Sequence, residues 1–404
     1  MSSAPLSHHE IYSRSKVRFV TGLSFGLGFL DAYFIYLVSS YFSEVGGSER
    51  VGVFYFIVFS LAFVVFFYLG RFLRKIGHIR LLLLLFMLLI GCSAFLSVRD
   101  PSWIGSGVLL LFLVINNMMW TVMDVVLESF STDQVSGRVR GLYLAVLNTG
   151  FLFAPFLSTL TLGRFGYGGI FLVLTIGYGL IFVLALVGLR DGRKIEVAPL
   201  RLMHSWQRFR QEPNLFRIYL VSLALEFFYA IMVVYMPIYL TTHLGFSWEQ
   251  LGIIFTIMLL PFVFLQYPIG VLADKRYGEK EMILLGLFIM GTATLGSIMF
   301  DSKSIFLWGT LLFLTRVGSA ALEVLRDSYF YKQITASDTD VIVFFRTARS
   351  IGNMLGAFLS VALLLFFPLA SLFWLVGGVT LLTLYPALRL VDTTSEHDRS
   401  ARKR

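Results

Sequence analysis

The stretch LLLLLFMLLIGCSAFLSV, residues 81–98, decides the fold class of this chain, because it contains no charged residue. A helix needs roughly 20 apolar residues to cross the hydrocarbon core of a bilayer, so this run predicts a membrane-spanning helix. Runs of this kind occur near residues 18–41, 51–70, 79–98, 104–129, 139–161, 168–189, 216–240, 249–272, 281–300, 304–329, 341–367 and 369–390. Lipid offers the backbone no hydrogen-bond partners, and the runs do not alternate as barrel strands do. We therefore predict an all-α transmembrane protein of twelve helices.

The composition leaves no room for a sizeable soluble domain. The 404 residues are 57% hydrophobic and 14% charged, whereas soluble domains have roughly 45–50% apolar and about 25% charged residues. The mean hydropathy is +0.80. The single cysteine, Cys92, excludes an internal disulfide. We attribute the net charge of +9 to basic cytoplasmic loops, and we predict no nucleic-acid partner.

The basic residues between the runs indicate the orientation of the chain. With the N-terminus inside, the outer loops hold only Arg50, Arg99, Arg164 and Lys303, whereas the inner loops include the dense stretch from Arg190 to Arg217. Cytoplasmic loops carry an excess of Lys and Arg, so we predict that both termini are cytoplasmic. The pattern suits a multi-pass protein of a plasma membrane, and in particular of a bacterial inner membrane.

The longest connection divides the chain into residues 1–190, a linker of residues 191–215, and residues 216–404 with a basic tail. In the linker, Leu202, Trp206 and Phe209 share one helical face, which suggests an amphipathic helix on the inner leaflet. A plain solvated linker is the alternative. The two long segments look like copies, since residues 124–130 align with residues 323–329. Duplicated six-helix halves are a recurrent plan of transporters.

The loop after the eighth span reads GVLADKRYG, residues 270–278. It resembles the Gly-x-Leu-x-Asp-(Arg/Lys)-x-Gly signature of the major facilitator superfamily, with one extra residue before the last glycine. The loop after the second span, residues 70–77, keeps the spacing but has Arg74 where the family usually has aspartate. The resemblance implies a fold of two pseudo-symmetric six-helix halves and secondary transport of a small solute.

Charged residues near the inner ends of the spans are candidates for a cytoplasmic gate. The set is Arg74, Asp124, Glu128, Asp274, Glu323, Arg326, Asp327 and Arg346. We expect Asp274 to pair with Arg326, and Arg74 to pair with Glu128. Such ion pairs would lock the inner side when the transporter opens outward. Ordinary anchoring and topology charges are the alternative interpretation.

The fifth span carries a second, weaker pattern. Gly141, Gly150 and Ala154-Pro155 are followed by Ser158-Thr159. The spacing resembles the antiporter motif of the drug–proton branch of the superfamily, with glycines replaced by other small residues. Small residues allow close helix packing, which is the alternative explanation.

Polar residues form a stripe on each of four spans. The stripes are Thr21, Ser24, Gly28 and Asp31 in span one; Asn117, Thr121, Asp124 and Glu128 in span four; Tyr219, Ser222, Glu226 and Tyr229 in span seven; and Arg316, Ser319, Glu323 and Arg326 in span ten. Each series steps by three or four residues, so each lies on one helical face. The resemblance implies that these four helices line the central cavity.

Depth in the membrane separates the polar residues into two roles. We assign Asp31, Asn117, Glu226, Tyr229 and Arg316, which lie near the midplane, to the substrate cavity and to proton coupling. A carboxyl group buried away from counter-charges can load and release a proton, and Asp31 and Glu226 are the candidates. Arg316 could hold an anionic group of the substrate or pair with one of the two acids.

We predict a secondary transporter that works by alternating access, with proton-coupled efflux of small apolar or cationic compounds as the first candidate function. A proton-coupled importer of a small, anionic metabolite is the alternative. The chain has no His-Glu-x-x-His, no Gly-x-Ser-x-Gly and no phosphate loop, so we predict no enzyme activity, metal or cofactor. The expected partners are a small-molecule substrate, protons and the lipid bilayer, and the expected state is a monomer.

Overall fold

The computed structural model describes residues 14–129, 136–189, 202–273, 278–334 and 339–391, and these residues are helical nearly throughout, with no β-strand among them. The helices are α1 (Arg14–Gly46), α2 (Val51–Ile76), α3 (His78–Ser97), α4 (Trp103–Ser129), α5 (Ser136–Gly188), α6 (Leu202–Gln211), α7 (Pro213–Ile238), α8 (Trp248–Phe264), α9 (Gln266–Leu272), α10 (Glu279–Gly296), α11 (Ile305–Lys332), α12 (Thr339–Leu364), α13 (Ser371–Leu382) and α14 (Leu384–Leu388).

In the described part of the chain, 10 helices are long and apolar enough to cross a membrane. One of them, α5, holds two helical segments joined at Gly166, whose φ of 61° lies outside the helical region. In α2 the apolar stretch is the shorter segment Val51–Val65. The prediction of an all-helical membrane protein is confirmed. The count of twelve crossings and the cytoplasmic position of the termini stay predictions.

Two prolines lie next to irregular helical turns in the segment from α7 to α9. Pro237 precedes a π-helical turn, Tyr239–His243, which continues α7 toward the next connection. Pro268 has no N–H to donate to the Phe264 carbonyl, and the helix is interrupted at Leu265, between α8 and α9. Gln266 is the first residue of α9, and its side chain forms hydrogen bonds with residues of α5 and α11.

Two glycines allow helices to approach closely at matching positions of the two long segments. A Cβ added at Gly150 would lie 2.9 Å from the backbone nitrogen of Phe29, so α5 packs directly on α1. A Cβ added at Gly352 would lie 2.8 Å from the Cβ of Glu226, so α12 packs directly on α7. Small residues permit such contacts between membrane helices. The division into residues 1–190, 191–215 and 216–404 stays a prediction.

A helix, α6, occupies the position of the predicted amphipathic segment. Its Phe209 is completely buried, with its ring centroid 4.7 Å from that of Phe344 and 5.6 Å from that of Tyr219. Trp206 lies partly exposed beside Phe216 and Phe344. The helix is therefore packed against α7 and α12, and its predicted place on the inner leaflet stays a prediction.

Candidate functional site

The four helices that carry the polar stripes pack together. Helix α1 contacts both α4 and α7, and α7 contacts α11. The contact between α1 and α7 joins the N-terminal helices (α1–α5) to the C-terminal helices (α7–α14), as do the contacts of α5 with α8 and of α2 with α12. The striped faces therefore supply polar side chains to one region between the two sets of helices.

Asp31 of α1 is buried, with 8% of its surface exposed, and it has no ion pair within the described residues. The Asn116 amide of α4 donates a hydrogen bond from Nδ2 to Asp31 Oδ1, at 2.8 Å. The Tyr178 hydroxyl of α5 donates in turn to Asn116 Oδ1, at 3.3 Å. Trp120 also lies beside the Asp31 carboxyl group. Neutral polar groups from α4 and α5 thus hold this carboxyl.

Asn117 does not make the contact to Asp31. Its Nδ2 donates to the Leu113 carbonyl of its own helix, at 2.9 Å, and Asn116 takes the place beside Asp31. The polar stripe of α4 predicts Asn117 because this residue is in register with Thr121 and Asp124. Adjacent residues of a helix point about 100° apart, so the neighbouring asparagine reaches a different helix. The pair of asparagines in an apolar helix was the signal for this site.

Glu226 of α7 is paired with arginines, unlike the isolated acid that the sequence suggested. Arg326 of α11 donates from Nη1 to Glu226 Oε1 at 2.8 Å and to Ser222 Oγ at 2.9 Å. Arg349 Nε of α12 lies 3.7 Å from Glu226 Oε2. The ion pair therefore joins a residue of the predicted midplane group to a residue of the predicted inner group, and the grouping by depth stays a prediction.

Glu323 belongs to a chain of hydrogen bonds that we call the amide relay, made of Asn148, Gln266 and Glu323. Gln266 Nε2 of α9 donates to Glu323 Oε2 of α11 at 2.8 Å. Asn148 Nδ2 of α5 donates to Gln266 Oε1 at 2.9 Å. The relay joins an N-terminal helix to two C-terminal helices. Asn148 and Gln266 lie outside the polar stripes of the sequence, although Gln266 is a polar residue between Pro261 and Pro268.

A second polar contact also joins the two sets of helices. Arg346 Nη1 of α12 lies 3.7 Å from Asp124 Oδ2 of α4, and both side chains are partly exposed. Arg326 Nε lies 3.5 Å from Asp327 Oδ1. The side chains of Arg74 and Glu128, and the whole of Asp274, lie outside the described residues.

Arg316 of α11 is 2% exposed and forms no ion pair within the described part of the chain. Its guanidinium carbon lies 5.2 Å from the ring centroid of Phe228 and 5.6 Å from that of Tyr229. Its Nη1 has no hydrogen-bond partner within the described residues, and the Tyr229 hydroxyl lies beside Ser319. The predicted pairing of Arg316 with Asp31 or Glu226 is absent among these residues, because Asn116 and Arg326 occupy those carboxyl groups.

The site combines three charged residues with different partners. Asp31 has neutral partners, Glu226 has arginine partners, and Arg316 has no ion-pair partner among the described residues. Within the described residues, no group of three or more His, Cys, Asp or Glu side chains could hold a metal ion. These features are suited to binding and releasing a charged solute and a proton.

The sequence profile of the Major Facilitator Superfamily matches residues 108–329 and, in a second match, residues 227–404. Among curated proteins, none matches this sequence.

Solved structures of transporters are similar to the chain along nearly its whole length. A POT family transporter in complex with 5-aminolevulinic acid has a TM-score of 0.74 at 12% identity, covering 92% of this chain and 95% of that chain. The nucleoside transporter NupG has a TM-score of 0.70 at 14% identity, covering 93% of this chain and 100% of that chain. A bacterial homolog to the human lysosomal transporter Spinster, in an inward-facing and unoccupied conformation, has a TM-score of 0.66 at 14% identity, covering 93% and 95%. At these identities the likeness concerns the fold alone.

Proposed function

Because this chain belongs to the major facilitator superfamily and transports a small solute across a membrane, we propose that it couples the solute to protons through Asp31. The observation that carries the proposal is the environment of this carboxyl group, which is buried and has a neutral amide as its partner. Asn116 can serve both protonation states, since an amide donates from its nitrogen and accepts at its oxygen. A proton can therefore enter or leave Asp31 without breaking an ion pair.

The transport cycle follows alternating access of two halves, residues 1–190 and 216–404. Two polar contacts between the N-terminal and C-terminal helices support this assignment: the amide relay and the Asp124–Arg346 pair. Together with Arg74, Glu128, Asp274, Arg326 and Asp327, they form the cytoplasmic gate in this proposal. The contacts must separate when the inner side opens, and they reform when it closes.

Two candidate solutes follow from the charges of the site. Efflux of small apolar or cationic compounds, the first candidate from the sequence, would use Asp31 as the anionic contact. Import of a small anionic metabolite would use Arg316, which has no ion pair among the described residues. An unpaired buried cation is costly, so we favour a solute with a negatively charged group. The chain then acts as a monomeric, proton-coupled transporter of a bacterial plasma membrane.

The proposal is tested in proteoliposomes that hold the purified protein under an imposed pH gradient. Radiolabelled benzoate, radiolabelled lactate and the cation ethidium are supplied in turn, and protein-free liposomes are measured in parallel. We expect accumulation of an anion that an uncoupler abolishes. Asp31→Asn should lose gradient-driven accumulation and retain exchange of labelled for unlabelled solute, whereas Asp100→Asn, at an exposed position, should behave as the wild type.

Two results would reject the proposal. Gradient-driven accumulation at the wild-type rate in Asp31→Asn would remove Asp31 from proton coupling. Accumulation of ethidium alone, with the anions ignored, would replace the anionic solute by the cationic one.

A further inference from the structure

Arg316 has an environment that an ordinary structural arginine does not have. It lies within a spanning helix, is 2% exposed, and leaves its Nη1 without a hydrogen-bond partner. Buried guanidinium groups are usually paired, because an uncompensated charge in a low-dielectric interior is strongly destabilising. Within the described residues, its guanidinium lies against the aromatic side chains of Phe228, Tyr229 and Tyr36. The residue is therefore prepared for an anion that comes from outside the chain.

Aromatic residues from two helices lie beside the guanidinium, and a ring from a third helix packs on one of them. Phe228 and Tyr229 of α7 lie within 5.6 Å of its carbon, measured to the ring centroids. The Tyr36 hydroxyl of α1 lies beside it, and the Tyr36 ring stacks on Phe255 of α8, with 5.0 Å between centroids and 30° between planes. The site thus lies where an N-terminal helix meets C-terminal helices, as a site for alternating access must.

We propose that Arg316, Tyr229 and Tyr36 bind the carboxylate of a small monocarboxylate, and that the surrounding rings bind its flat or aromatic body. This inference rests on the proposed function of the chain as an anion transporter. The site offers a buried donor without an acceptor, Arg316 Nη1, and next to it the Tyr229 hydroxyl, which lies beside Ser319. A carboxylate has two acceptor oxygens, and the guanidinium fork matches carboxylate geometry.

The acids nearby limit the charge of the ligand. Asp31 lies close enough to Tyr36, and Glu226 and Glu323 lie close enough to Tyr229, to act on these tyrosines electrostatically. One cation among several acids can compensate a single negative charge. A phosphate monoester carries nearly two negative charges at neutral pH and would meet additional repulsion, so the site favours a monoanion.

The rings favour a ligand with a flat apolar part. The buried core includes Tyr36, Phe228 and Phe255, and the partly buried Tyr229 packs against it. Aromatic pairs prefer offset or edge-to-face contacts, which add to the burial of apolar surface. A short hydroxy acid would satisfy the donors but would bury little apolar surface against these rings.

The test measures thermal stabilisation of the purified full-length protein in detergent, with benzoate as the probe. Benzamide has the same ring and no charge, benzylamine is a cation, phenyl phosphate is more highly charged, and acetate lacks the ring. We expect benzoate to raise the melting temperature in a saturable manner. Acetate should bind at least about tenfold more weakly, because it buries much less apolar surface. The other three compounds should give no saturable shift.

Substitutions then locate the binding. Arg316→Gln should weaken benzoate binding by about tenfold or more, and Arg316→Lys should have an intermediate effect because lysine lacks the fork. Tyr229→Phe, which keeps the ring, should weaken binding by a few fold and serves if Arg316→Gln fails to fold. Arg99→Gln is the matched control. Arg99 also lies over an aromatic ring, that of Phe95, but it is exposed and lies two residues after the end of α3.

Each outcome decides between the site and the proposed function. Equal shifts with benzoate and benzamide, or a larger shift with phenyl phosphate, overturn the monocarboxylate site. No benzoate binding, with intact proton-coupled transport of another solute, overturns the site and leaves the proposed function standing. Saturable benzoate binding that Arg316→Gln weakens, without any gradient-driven transport, supports the site and rejects proton coupling.

Discussion

The two buried acids of the candidate site, Asp31 on α1 and Glu226 on α7, have almost the same burial and opposite partners. Asp31 is 8% exposed and Glu226 is 4% exposed. Asp31 accepts a hydrogen bond from the neutral amide of Asn116. Glu226 accepts one from Arg326 and has Arg349 nearby. Burial alone therefore does not assign a role to a membrane carboxyl group.

The nature of the partner decides what protonation would cost. An amide can rotate to present its oxygen to a protonated carboxyl, whereas an arginine can only donate. Protonation of Glu226 would remove the closer anion of the largely buried Arg326 guanidinium and leave it Asp327, at 3.5 Å. We therefore expect Asp31 to exchange the proton and Glu226 to keep the ion pair that links α7 to α11. The sequence offered both acids for proton coupling, and the contacts favour one of them.

The largest effect that would test this comparison is on stability. We expect Glu226→Gln to destabilise the protein by about 3–5 kcal/mol, because breaking one side of a buried pair leaves a buried charge. Asp31→Asn should cost about 1 kcal/mol or less, since the new amide can still bond to Asn116. The fraction of monodisperse protein that remains in detergent after heating to a series of temperatures measures both effects.

The double variant Glu226→Gln with Arg326→Gln is the control for this prediction. It removes both charges and should recover most of the lost stability, because two neutral amides can bond to each other. If Asp31→Asn instead proved as damaging as Glu226→Gln, the two acids would be equivalent and the comparison would fail.

Much of the fold could be predicted from the sequence, since the bilayer imposes strong rules. Apolar runs and Lys/Arg asymmetry predicted a helical membrane protein, and charged residues inside the runs indicated Asp31, Glu226 and Arg316. Their partners could not be predicted. The choice between Asn116 and Asn117 depends on which side of α4 faces α1, and a stripe on one helix does not contain that information. The position of Gln266 depends on the interruption of the helix at Leu265, near Pro268.

An effect of intermediate size would sharpen the account of Asp31. Asn116→Ala should destabilise the protein by about 1–3 kcal/mol, because it leaves a buried carboxyl without its amide partner. Asn117→Ala is a matched control on the same helix. Its amide bonds to the Leu113 carbonyl of its own helix, so its loss should cost about 0.5 kcal/mol or less. The midpoint of thermal inactivation in detergent distinguishes them.

The proton dependence of these two variants adds a second readout. Asn116→Ala should alter the pH profile of transport, because Asp31 loses the group that stabilises its charged form, while Asn117→Ala should keep the wild-type profile. Equal stability and equal pH profiles in the two variants would show that Asn116 does not position Asp31.

The smallest expected effect on stability concerns the amide relay, in which the amides of Asn148 and Gln266 lie next to the carboxyl group of Glu323. A double-mutant cycle of Asn148→Ala and Gln266→Ala should give a coupling energy of about 0.6 kcal/mol, the average for hydrogen bonds between membrane helices. A second cycle, Gln266→Ala with Glu323→Ala, should give a larger coupling energy, because the acceptor of this bond is a carboxyl oxygen rather than an amide oxygen. Thermal midpoints of the single and double variants supply both cycles. If only the second coupling is measurable, the relay stabilises the C-terminal helices alone. If both are, the relay also holds them to α5, and the same bonds that steady Glu323 must break when the two sets of helices separate.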